Sequence, residues 1–78
     1  MPRYYFHVYD DVEALDDEGL DRADAEAAVA GAVNAARELA AEEVRRGKLN
    51  LGHRIEVEDE SGSVIAAVMF RDCVLVEG

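Results

Sequence analysis

The chain has 78 residues and a mass of 8.5 kDa, enough for a single domain spanning 1–78 with a thin core, because a chain of this size buries only about 60% of its unfolded surface. Half the residues are apolar, but thirteen of them are alanine; the single cysteine excludes an internal disulfide framework, and no apolar run approaches the ~18 residues of a membrane span. A net charge of −10 disfavours direct binding to nucleic acid, whose affinity depends on Lys and Arg releasing counterions, and a cytoplasmic protein is expected.

Arg3 to Asp10 reads as a strand, since aromatic and β-branched side chains favour a pleated, half-buried surface. Alternation sets Tyr4, Phe6 and Val8 on one face, expected to be the core, and Tyr5, His7 and Tyr9 on the other. Asp10-Asp11 is a turn, and Val12 to Leu15 returns as a short second strand. Asp24 is the N-cap candidate for a helix over about 25–46, with Glu26 suiting the positive end of its dipole. At 100° per residue, Ala25, Ala28, Val29, Ala32, Val33, Ala36, Leu39, Ala40 and Val44 make its apolar stripe. Glu42 and Arg46 form an i,i+4 pair, and Gly47 supplies the left-handed residue that ends the helix.

His53 to Glu60 alternates again, with Ile55 and Val57 inward and Arg54, Glu56 and Glu58 outward. Glu60 to Ser63 is a turn, followed by a strand over Val64 to Phe70. Both faces of that strand are apolar: Val64, Ala66, Val68 and Phe70 against Ile65, Ala67 and Met69. Such a strand belongs in the middle of a sheet or under cover on both sides. Cys73 to Val76 continues the apolar character as either strand or short helix. The fold class is α+β, a two-layer β-β-α-β-β arrangement with one long helix packed on a mainly antiparallel sheet of three or four strands.

Chemistry-bearing residues are sparse. His7, His53 and Cys73 stand far apart in sequence and form no ligand pair of the kind zinc sites use, so no metal and no cofactor is expected. Cys73 is adjoined by Asp72 and Val74, not the electropositive surroundings an activated thiolate needs. In the acidic stretch from Asp10 to Asp24, consecutive Asp16, Asp17 and Glu18 precede Gly19 directly, which breaks the register of a calcium loop. No catalytic residue is assigned, and an enzyme is not expected.

Charge is unevenly spread. Residues 1–26 carry two basic and nine acidic side chains, 27–55 five and three, 56–78 one and six. The basic cluster of Arg37, Arg45, Arg46, Lys48 and Arg54 suits the negative end of the helix dipole. Two surfaces carry more information. Tyr5, His7 and Tyr9 with Ile65, Ala67 and Met69 make an apolar, aromatic patch on the sheet face the helix leaves open, unless the C-terminal segment folds back over it. Ala27, Gly31 and Ala35 form a stripe of small residues on the helix that would let another helix approach.

Met1 to Val8 (Met-Pro-Arg-Tyr-Tyr-Phe-His-Val), the step Asp17-Glu18-Gly19-Leu20, the helix start at Asp24 to Ala28, Ala36 to Leu39 and the hairpin Ile55 to Gly62 together resemble a family. It is a family of small bacterial proteins, frequent in rhizobia and other alphaproteobacteria, classed as a domain of unknown function. The resemblance spans almost the whole chain, implies a fold and assigns no activity; Asp10-Asp11 departs from its pattern, where a glycine is expected. A weaker likeness, at the level of fold alone, is to the partial ribonuclease-H-like fold of small antitoxins. The expected function is a non-enzymatic protein-interaction or self-association module acting through the open face or an edge strand, with a protein partner or a homodimer and no membrane. The alternative is an antitoxin-like regulatory module that binds a basic partner protein.

Overall fold

The computed structural model describes residues 1–78. Strand β1 (Arg3–Tyr9) is central, with its aromatic and β-branched residues pleated between neighbours on both sides. On one side it pairs with two strands of two residues each, β2 (Glu13–Ala14) opposite Val8 and Tyr9, and β3 (Leu20–Asp21) opposite Arg3 and Tyr4. On the other it pairs with β4 (Arg54–Glu58), which in turn pairs with β5 (Val64–Met69). Every pairing is antiparallel, and the sheet has five strands. The extra strand, β3, sits in a run of acidic residues without alternation, so periodicity gave no sign of it. The Asp10-Asp11 turn needs no glycine, because the Asp10 side chain accepts a hydrogen bond from the Val12 amide and closes the turn itself.

Helix α1 (Ala25–Arg45) starts where expected: the Asp24 carboxylate accepts from the Ala27 amide at 2.8 Å. It ends in a Schellman motif, with the Gly47 amide bonded to the Val44 carbonyl and the Lys48 amide to that of Glu43, and Gly47 at φ +87° supplies the left-handed turn. Ala28, Ala32, Ala36 and Ala40, at i,i+4 spacing, are the residues it buries against the sheet. They meet Tyr4, Ile55, Val57 and Val68, with Phe6, Val8, Val29, Val33 and Leu39 partly buried around them.

Two expectations about the helix need correction. Val44 is 59% exposed, and Glu43, one residue earlier, is the buried one. The helix turns Glu43 inward because its carboxylate has partners there: the Asn50 amide at 2.9 Å and His53 Nδ1 at 2.5 Å. Glu42 pairs with Arg45 at i,i+3 rather than with Arg46. Nor do the basic residues all serve the helix end. Arg37 donates to the Cys73 carbonyl, Lys48 pairs with Asp11, and Arg54 pairs with Glu56.

Neither alternative for Cys73 to Val76 holds beyond its first residue: Cys73 closes a short helix, α2 (Phe70–Cys73), which takes Phe70 out of the strand, and 74–76 are neither strand nor helix. Phe70 and Cys73 are buried under α1, and burial raises the Cys73 thiol pKa. β5 is not a central strand. It lies at the edge of the sheet, covered on one face only. A bulge opposite Val57 and Glu58 brings Val64 across from Glu58 and leaves Ile65 as the extra residue, so Val64 joins the open face instead of the core. The segment 74–78 has no regular structure, and its Leu75 and Val76 are 82% and 66% exposed. No helix is long and apolar enough to cross a membrane.

Candidate interaction surface

Register alone arranges the open face. Tyr9, Arg54 and Met69 form one row across β1, β4 and β5; His7, Glu56 and Ala67 form the next; Tyr5 and Glu58 lead to Val64. All six expected residues, Tyr5, His7, Tyr9, Ile65, Ala67 and Met69, belong to strands β1 and β5. They do not merge into one patch, because Arg54, Glu56 and Glu58 of the intervening strand run between them as a charged rib.

The β1 strip already has partners within the chain. The Arg54 guanidinium lies 4.3 Å from the Tyr9 ring centroid, a cation–π contact. His7 Nδ1 accepts from the Asp16 amide at 3.0 Å, which leaves the ring proton on Nε2, 3.5 Å from a Glu58 carboxylate oxygen. The β5 strip has no such engagement. Ile65 and Val64 are 39% and 54% exposed, Ala67 is exposed, and Met69 is half-buried.

The two edges of the sheet are built in opposite ways. Between β2 and β3 the ladder along β1 is interrupted, and the Asp16 side chain fills the gap. One carboxylate oxygen accepts from the Phe6 amide at 3.1 Å, the other from the Glu18 and Gly19 amides at 3.0 Å. Burial pushes the Asp16 carboxyl up, but these three amides outweigh it and hold the group below the usual carboxylate range. Gly19, at φ +73°, lets the loop close: a Cβ there would stand 2.8 Å from Arg3 Cγ and 2.9 Å from the Tyr4 carbonyl oxygen. The β5 edge has no counterpart. No side chain bonds to the backbone of residues 64–69, no strand pairs beyond it, and Val64 to Phe70 carries neither charge nor proline. Natural edges are usually blunted by such residues or by bulges, and here the bulge at Ile65 lies near the Val64 end and leaves Ala66 to Met69 regular.

The other expected features fall at separate places. His53 is buried at the start of β4, with its ring edge-on to Phe70 and its Nε2 3.5 Å from Asp11. His7 lies on the open face and Cys73 under the helix, so the three do not converge. Burial pushes the Glu43 carboxyl up, but the Asn50 amide and the His53 imidazole more than offset this and hold it low. The stripe of small residues on the helix is not bare. Arg22 lies over it, its Nε 3.7 Å from where a Gly31 Cβ would be and its guanidinium 5.9 Å from the Phe6 ring centroid. Beside them Leu20 and Ala35 help line a shallow cleft of about 200 Å³. Sequence reasoning missed the roles of Asp16, Arg22 and Glu43. Of these only Glu43 left a signal, being three residues beyond the alanines at 28, 32, 36 and 40.

A family model for a domain of unknown function, DUF6894, matches residues 3–71. The chain belongs to the DUF6894 family. The match covers all five strands and α1, and with them both sheet edges. No curated protein and no solved structure gives a significant match to this DUF6894 chain.

Proposed function

We propose that this DUF6894 chain is a non-enzymatic protein-interaction domain that docks a protein strand on the β5 side of its sheet. The observation that carries the reading is the asymmetry of the edges: an aspartate carboxylate and two short strands satisfy β1, whereas the outward backbone groups of β5 have no partner in the chain. An added strand gains main-chain hydrogen bonds there, and Val64, Ile65, Ala67 and Met69 give it apolar neighbours. The acidic surface supports the antitoxin-like alternative less well, since Asp11, Asp16, Asp21 and Asp24 are each occupied by a contact within the chain.

Photo-crosslinking in the producing cell tests this. A photoreactive residue in place of Ile65 should give one adduct of defined mass, and the same residue in place of exposed Glu38 on the helix should give none. Equal labelling at the two positions, or none at either, contradicts the reading.

A further inference from the structure

We infer that the strand docked on β5 is β5 of a second copy, paired antiparallel about a two-fold axis perpendicular to the sheet. The inference rests on the interaction reading above and names the partner it leaves open. Three observations support a second copy.

The first is self-complementarity. An axis through Ala67 sets Ala67 opposite Ala67 of the other copy and Ile65 opposite Met69, so the open-face strip continues across the junction as a row of apolar pairs. On the helix side the same register sets Ala66 opposite Val68. In this register Ile65 to Met69 meet the same five residues of the other copy, with the same unfilled backbone groups, while Val64 falls opposite Phe70, which has left the strand.

The second is where the charge lies. A net charge of −10 argues against self-association only if it sits at the junction. Nine of the eighteen carboxylates fall between residues 10 and 26, in the two short strands, their loops and the start of α1. The β2–β3 edge is three strand spacings from β5, about 14 Å, which exceeds the roughly 8 Å screening length at physiological salt. The β5 strand itself is uncharged; the carboxylates nearest it are Glu56 and Glu58, one strand spacing behind on β4, and Asp59, Glu60 and Asp72 at its two ends.

The third fixes the direction. Glu58, Asp59 and Glu60 stand at the Val64 end of β5, whereas Arg54 and Arg71 stand at the Met69 end, together with Asp72. An antiparallel copy brings the acidic end of one chain towards the end of the other that carries the arginines; a parallel copy would bring like ends together.

A six-residue strand contributes an edge of only about 20 Å, at the small end of specific interfaces, so the dimer is weak and depends on concentration. Sedimentation of the full chain from micromolar to submillimolar concentration should show the mass rise from 8.5 kDa to twice that value. The double variant Ile65→Lys plus Ala67→Lys changes two exposed side chains and should stay at the monomer mass with its helical circular dichroism retained. In the wild type, part of the amides of residues 64–69 should exchange more slowly as concentration rises, a readout that needs no variant. A wild type that remains monomeric, a dimer indifferent to the lysines, or exchange at 64–69 that ignores concentration overturns the inference. If the purified chain is monomeric while crosslinking at Ile65 gives an adduct with a different protein, the second copy is wrong and the interaction reading stands. If the chain is monomeric and no adduct forms, both fall.

Discussion

Two carboxylates, buried Glu43 and half-buried Asp16, tie together backbone segments of this chain that are distant in sequence. Asp16 does the work of a missing strand, and replacing it with alanine orphans the Phe6, Glu18 and Gly19 amides. Leaving such groups unpaired costs about 1–3 kcal/mol, so Asp16→Ala should lower the thermal midpoint and speed exchange at Phe6 while leaving the amides of α1 protected. Glu43 ties the end of α1 to the start of β4 through Asn50 and His53. Its pKa is lower folded than unfolded, so its contribution is complete above the ordinary value of 4.5 and is lost as pH falls through the folded value. Unfolding midpoints measured down a pH series should therefore drop in acid. Glu43→Gln should start lower at neutral pH, by about 1–3 kcal/mol, and show a shallower acid fall. An identical acid slope in the variant would mean that Glu43 carries none of it.

At the scale of elements, the helix was the most legible part of the sequence. Asp24, the alanine periodicity and Gly47 are local signals, and each acts where it stands. The alternation of β1 and β4 was legible for the same reason. What stayed hidden depends on contacts distant in sequence. Leu20 and Asp21 become a strand only because Arg3 and Tyr4 lie beside them. Val64 changes face because of a bulge that sequence parity cannot register. Glu43 continues the spacing of the buried alanines, but periodicity is blind to the histidine ten residues on that makes an inward carboxylate tolerable. The helix also carries one residue below its optimum. The position of a Gly31 Cβ meets only Arg22, at ordinary contact distance, so Gly31→Ala should stabilise the fold by about 0.5–1 kcal/mol, seen as a higher denaturant midpoint with an unchanged slope.

For the whole molecule, extents of 41 × 23 × 16 Å describe a slab one helix and one sheet thick. The composition indicated both layers but not the order of the strands, and the order decides which apolar face is spare. Val64 to Phe70 looked as if it needed cover on two sides; the topology sets it at a margin with one side bare. The six candidate residues lie on β1 and β5, and their separation by Arg54, Glu56 and Glu58 follows from register alone. Where the two layers meet, the seat of the helix is made of single methyl groups, Ala28, Ala32, Ala36 and Ala40, all shielded from solvent. Any bulkier residue there must lever the rod off its bed, and glycine would loosen the rod itself. Substitutions should thus be tolerated at outward positions such as Ala30 and Ala41, whereas the inner line has room for change in neither direction.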